Sequence, residues 1–178
     1  MQTLEDQMAV YASYHQDTRN KATHFIGVPM IIVSLFIPLA WIKVQVGMFV
    51  ITGAIVFAAA ILIYYVFLDP LLALATALFT ALFLVAAAWI AGQGAVVGWS
   101  AFGVLFVGGW ILQLLGHVFE GRKPALADNL FQIFIAPIFL CAELFFALGY
   151  KPKLHGAVQE RALRMRAASP DAKLTAAG

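Results

Sequence analysis

Between Lys43 and Glu120 the chain carries one formal charge, Asp69; the other residues from 44 to 119 are neutral. Water-soluble domains spread charge along their whole length, whereas a bilayer demands its absence. A Lys, Arg or Asp at the centre of a membrane helix costs about 2.5–3.5 kcal/mol on the insertion scale. The stretch therefore predicts helices that cross a membrane.

The apolar runs divide at polar or helix-breaking residues. They are 25–42, 46–68, 71–91, 95–116 and 130–149. About 20 residues at 1.5 Å rise span a ~30 Å hydrocarbon layer, and a backbone in lipid must satisfy its own hydrogen bonds. The expected fold is all-α, a polytopic helix bundle of four to five spans. The fifth run carries Pro137 and Glu143, so a kinked or re-entrant form is expected beside a spanning one. The first and second runs, and the third and fourth, are joined by short connections and should form antiparallel hairpins. Asp69-Pro70 reads as a turn.

The composition excludes other classes. Hydrophobic residues make up 63% of the chain and charged residues 11%, against about 45–50% and 25% in ordinary soluble proteins. A cytosolic enzyme and a disordered chain do not fit. A net charge of +2 is too small to attract a nucleic acid. Cys141 is the single cysteine, so an intrachain disulfide and a cysteine zinc site are excluded. There is no HExxH, GxSxG, P-loop, dinucleotide fingerprint or haem-attachment motif. Four histidines are about half of what a histidine-box di-iron enzyme needs.

The N-terminus is acidic and lacks the apolar core of a signal peptide. It reads as an amphipathic helix that Thr3 can cap, with Leu4, Met8, Tyr11 and His15 on one face. Residues 1–150 are expected to form one membrane-embedded catalytic domain. Residues 151–178 are expected to be a basic, partly disordered tail, helical over 157–168, with Arg161, Arg164 and Arg166 facing an anionic surface. His155 lies in this tail and is expected to be solvated.

In so apolar a chain the polar residues carry the information. They gather in two clusters, Tyr14–Pro29 and Gln113–Asn129. Four spans separate the clusters, and an even number returns the chain to the same face. His15, His24 and His117 should therefore meet at one side of the membrane. Asn20 and His24 share a helix face at i, i+4, as do His117 and Glu120 at i, i+3. His15 and His24 are half a turn out of phase, so a bend between them is required; Gln16–Lys21, with Asn20 as a cap, is the expected place. Any one of these histidines alone would read as an interfacial polar group. Three that converge beside Glu120 and Asp128 read as a metal site, and imidazole suits Fe, Zn, Cu or Ni. Arg122 and Lys123 are candidates for a substrate carboxylate or a lipid headgroup, or are ordinary snorkelling residues. Glu143, ionisable within an apolar run, is a functional candidate or a hydrogen-bonding group of the bundle.

The two clusters resemble the 2-hydroxy fatty acid dioxygenase family. The resemblance rests on Tyr11-x3-His15-x4-Asn20-x3-His24-x2-Gly27-x-Pro29, then Gln113-x2-Gly116-His117-x2-Glu120-x-Arg122-x-Pro124-Ala125-Leu126-x-Asp128 and Ala136-Pro137. It covers about residues 8–150. It implies an Fe(II)-dependent dioxygenase, without 2-oxoglutarate, that uses O2 to shorten a long-chain 2-hydroxy fatty acid by one carbon. The iron ligands implied are His15, His24 and His117, with Glu120, Asp128 and Asn20 as a further ligand or as support, and Arg122 or Lys123 holding the carboxylate. A zinc-dependent membrane lipid hydrolase and a non-enzymatic transporter or assembly protein are the alternatives. A transporter would carry polar groups at mid-membrane, which the second and third runs lack.

The membrane expected is a bacterial inner membrane or the endoplasmic reticulum. If the fifth run spans, one face holds Arg19, Lys21, Arg122 and Lys123 and the other holds Lys43 with the six cations after residue 150. If it re-enters, ten cations lie on the face of the histidines and one on the other. The second arrangement is the more lopsided and places the site at the cytoplasmic face.

Overall fold

The computed structural model describes residues 3–124 and 129–168. They fold as α1 (Leu4–Ser13), α2 (Thr18–Trp41), β1 (Lys43–Val46), β2 (Phe49–Thr52), α3 (Gly53–Leu68), α4 (Pro70–Gly92), α5 (Ala95–Glu120), a 3-10 turn (Leu130–Phe134), α6 (Ala136–Ala147) and α7 (Pro152–Ala168). The all-α class holds, with one small hairpin added. Three helices, α2, α4 and α5, are long and apolar enough to cross a membrane. The chain divides into two compact units, residues 25–113 and the two flanking segments together.

In the unit formed by residues 25–113, Phe36, Ile37 and Ala40 of α2 meet Ala54 and Ala58 of α3 and Ala87 and Ala91 of α4. Small residues let the backbones approach, as membrane helices require where lipid offers no hydrophobic drive. A Cβ added at Gly109 would lie 2.7 Å from Ile31 Cγ1 and 2.9 Å from the Gly27 carbonyl oxygen, so α2 and α5 touch there. The Trp41 indole N–H donates to the Ala91 carbonyl (3.1 Å). Asp69, the lone charge of the long neutral stretch, caps α4 by accepting from the Leu72 N–H (3.0 Å), with Pro70 in the first turn.

The second run is not one helix. Its first residues pair as the β1–β2 hairpin, with Val44 opposite Ile51 and Val46 opposite Phe49. Gly47, at φ +59°, supplies the left-handed turn position that a two-residue hairpin needs. Apolarity alone does not separate a short strand from a helix; the β-branched and aromatic side chains around Gly47 tip the balance. At 16 residues, α3 is about 24 Å long. The fifth run is likewise divided. The 3-10 turn precedes a 12-residue α6, about 18 Å long, with Pro137 in its first turn rather than at a mid-helix kink. That length does not span a bilayer.

In the other unit, α1 has the expected Thr3 cap, completed as a capping box with Asp6. Its residues Leu4, Met8, Ala9, Tyr11 and Ala12 are buried, against α6 and, most extensively, α7. The last helix starts at Pro152, five residues before the expected start, and buries Val158 and Ala162. Arg161 bridges to Glu5 (2.8 Å) and to Asp6. His155 is not solvated: its half-buried ring stacks on Phe146, with centroids 4.6 Å apart.

Candidate metal centre

The three histidines expected to converge do so, within one compact unit. His15 follows α1, His24 lies on α2 and His117 sits in the last turn of α5. All three are buried, and one ring nitrogen from each lies within 4.8 Å of the others. Ring centroids are 4.4 Å apart for His15–His24, 4.9 Å for His15–His117 and 5.2 Å for His24–His117.

The required bend falls at Tyr14–Asp17, slightly earlier than expected. The residue that caps α2 is Asp17, whose carboxylate accepts from the Arg19 N–H (2.8 Å). Asn20 does not cap. It is wholly buried, and its side-chain amide donates to the Tyr14 carbonyl (3.1 Å) and to Glu120 (3.1 Å). Its Oδ1 is buried without a hydrogen-bond partner.

Hydrogen bonds fix the histidine tautomers. His15 Nδ1 lies 2.7 Å from the Tyr11 carbonyl oxygen, and His24 Nδ1 lies 2.9 Å from that of Asn20. A carbonyl oxygen only accepts, so each Nδ1 carries the proton and donates. Each Nε2 is then a bare lone pair, and the two face each other at 3.0 Å. Two lone pairs at that distance repel unless a cation lies between them. A proton is a poor candidate, because burial and then the neighbouring His24 push the His15 imidazole well below its ordinary range. A metal cation satisfies both donors, with His117 beside them; the His117 Nδ1 is buried without a hydrogen-bond partner. Backbone-anchored Nδ1–H groups are the usual means of aiming Nε2 at a metal. The donor set therefore fits a first-row transition metal.

The Tyr11 ring stacks on His15, 4.1 Å between centroids and 5° from parallel, and so fixes the imidazole plane. Glu120, one turn beyond His117, points elsewhere. Its side chain has 0% exposure. Oε2 accepts from the backbone N–H groups of Gln16 (2.9 Å) and Asp17 (2.8 Å) as well as from Asn20, and Oε1 pairs with Arg166. The carboxylate thus clasps the link that follows His15. Asp128 lies outside the described residues.

The Arg122 guanidinium lies 4.7 Å from the centroid of the Tyr14 ring and donates to the Ser13 carbonyl (3.0 Å); Lys123 is exposed. Glu143 forms an ion pair with Lys21 (2.8 Å). Gly116 marks the closest approach of α5 to α2 in this unit: a Cβ there would lie 2.3 Å from Thr23 Oγ1 and 2.4 Å from Asn20 Oδ1. Sequence reasoning gave Gly116 no role and placed Arg166 on a membrane-facing surface. A buried carboxylate at Glu120 implies a cation, yet nothing local says which of the eleven Lys and Arg residues supplies it.

Over residues 1–148 the chain matches a family profile described as 2-hydroxy-palmitic acid dioxygenase Mpo1-like. It is 35% identical over 173 residues to the 2-hydroxy-palmitic acid dioxygenase MPO1 of Saccharomyces cerevisiae; the alignment covers 92% of this chain and 95% of the yeast protein. No solved structure matches it. With the two motif clusters, the buried histidine trio and these matches in agreement, the chain belongs to the Mpo1-like 2-hydroxy-palmitic acid dioxygenase family.

Proposed function

We propose that this protein is a membrane-embedded, Fe(II)-dependent dioxygenase that cleaves the C1–C2 bond of long-chain 2-hydroxy fatty acids. A 2-hydroxy acid and O2 give the acid one carbon shorter, CO2 and water, which balances atoms and electrons. The observation that carries the reading is the pair of bare Nε2 atoms of His15 and His24, buried beside His117, in a chain of this family.

His15, His24 and His117 would hold the iron, which supplies O2 activation and an electrophilic centre for the substrate's carboxylate and 2-hydroxyl. The protein's own groups do the rest. Tyr11 and Asn20 orient two imidazoles through their carbonyl oxygens, and Glu120 holds the intervening link. Arg122 and Lys123 offer positive charge to the carboxylate where α5 ends. Burial of the three rings excludes bulk water, so oxidation is directed at the bound substrate. The alkyl chain stays in lipid, where it already partitions.

We read the site as cytoplasmic. A six-turn crossing is not available to α6, and α7 packs on α1. The cations of α7 would then lie on the same face as Arg19, Lys21, Arg122 and Lys123, and charge bias favours the cytoplasm for that face.

The test is anaerobic purification, metal analysis, and O2 uptake with 2-hydroxypalmitate. Iron-dependent uptake with one CO2 released per O2 is expected. Full activity in an iron-free sample, or in a His117→Ala variant, would overturn the proposal; zinc in place of iron would point to a hydrolase.

A further inference from the structure

The carboxylate of Glu120 has no exposed surface, and its charge partner comes from the far end of the chain. Arg166 lies in the last turn of α7 and pairs with Glu120 Oε1. This helix begins at Pro152, past the residues that the family profile matches. Two further contacts dock it: Arg161 on Glu5 and Asp6, and the buried pair Val158 and Ala162.

We propose that Arg166 is a positioning residue for the metal centre, acting through Glu120 on the link that presents His15. The inference rests on the metal-binding reading of the three histidines. Glu120 Oε2 accepts the N–H groups of Gln16 and Asp17, the two residues that follow His15. With the Asn20 amide that makes three N–H donors on Oε2, while the guanidinium holds Oε1 from the other side, so the carboxylate is fixed at both oxygens. Without the guanidinium, Oε1 loses its partner and the carboxylate is free to rotate away from the link. That movement weakens the hold on Gln16 and Asp17. Tyr11 fixes the His15 ring from the helix side, and the Glu120 clasp fixes the backbone that leaves His15 on the other side; loosening the second lets His15 Nε2 move relative to His24 and His117. The C-terminal helix is thus part of the metal centre's frame.

The experiment titrates metal-free protein in detergent with Co(II), reading affinity and d–d absorption bands, with thermal unfolding measured alongside. Loss of a group that orients a metal ligand typically weakens metal binding by about 10–100-fold. That loss is expected for Arg166→Gln, and Arg166→Lys, which keeps the charge but not the fork, should fall between it and wild type. Arg164→Gln, at an exposed site paired with Glu160, should bind like wild type. Wild-type affinity and spectrum in folded Arg166→Gln would overturn the inference. So would an equal loss in Arg161→Gln, since the effect would then lie in docking α7. If Arg166→Gln does not fold, wild-type affinity in Arg166→Lys overturns it. Oxygen uptake is read separately: a wild-type protein that loads metal but oxidises no 2-hydroxy acid refutes the proposed reaction, while the Co(II) comparison still decides the role of Arg166.

Discussion

Replacing Gly116 by alanine adds one methyl group where α5 meets α2, and its consequence is unusually well defined. The new Cβ would lie 2.3 Å from Thr23 Oγ1, 2.4 Å from Asn20 Oδ1 and 3.2 Å from His24 Nδ1. Contacts under 3 Å require something to move. Thr23 can rotate if it gives up its bond to the Asn20 carbonyl (2.8 Å). Asn20 has no such freedom, because its amide is held by Tyr14 and Glu120. The helices must therefore separate by about 1 Å at the turn that carries both His24 and His117. Overpacking of this kind costs about 1–3 kcal/mol of stability. The effect on chemistry is larger, since a 1 Å misplacement of a reacting constellation costs about a hundredfold in rate. Gly103 lies on the same helix with nothing within 4 Å of an added Cβ, so Gly103→Ala is the matched control. The assay is thermal unfolding in detergent with iron stoichiometry and O2 uptake. Gly116→Ala with wild-type unfolding temperature, iron content and rate would refute the reasoning.

His15→Ala and His24→Ala should each abolish stoichiometric metal binding while the helical circular-dichroism signal is retained; full metal occupancy in either would remove that ligand. Val158→Asp places a charge at a wholly buried position of α7 and should lower stability by several kcal/mol, read as a fall in unfolding temperature. The Asp6 carboxyl is held below its ordinary 3.8 by its bonds to Thr3 and then by Arg161. Its contribution is therefore complete above pH about 4 and is lost as pH falls through the lowered value; Asp6→Asn should flatten the acid limb of the stability curve. Thiol-reactive probes at cysteines introduced at exposed Thr3 and Ala168 should label from the same face of sealed vesicles, with buried Cys141 silent; labelling from opposite faces would mean that the fifth run spans.

What could be read from the sequence was what depends on charge and on counting. Asp69 standing alone marks the long apolar stretch, and the even number of apolar runs between the polar clusters predicts the meeting of His117 with His15 and His24 that the structure shows. The break at Lys43–Thr52 was hidden, because valine, isoleucine and phenylalanine suit lipid equally well as helix or strand and the turn depends on one glycine. The partner of Glu120 was hidden for another reason. Arg166 is selected by the docking of α7 on α1, a tertiary event, while in sequence it is one basic residue among several in the same tail. The glycine at 116 was visible in the motif, but the need for it becomes clear only when Asn20 is seen on the other side.

The inequality of the helices has a consequence for the lipid itself. At about 24 Å, α3 is shorter than a ~30 Å hydrocarbon core, and the β1–β2 ribbon that precedes it has unpaired strand edges that hydrocarbon cannot satisfy. Where α3 crosses, the ribbon must stay at the headgroups, and the bilayer thins around the helix rather than letting it sink. Hydrophobic mismatch of this kind costs a fraction of a kcal/mol per Å. Bilayers of short or unsaturated acyl chains should then accommodate the protein best, which unfolding measured in vesicles of graded thickness would read.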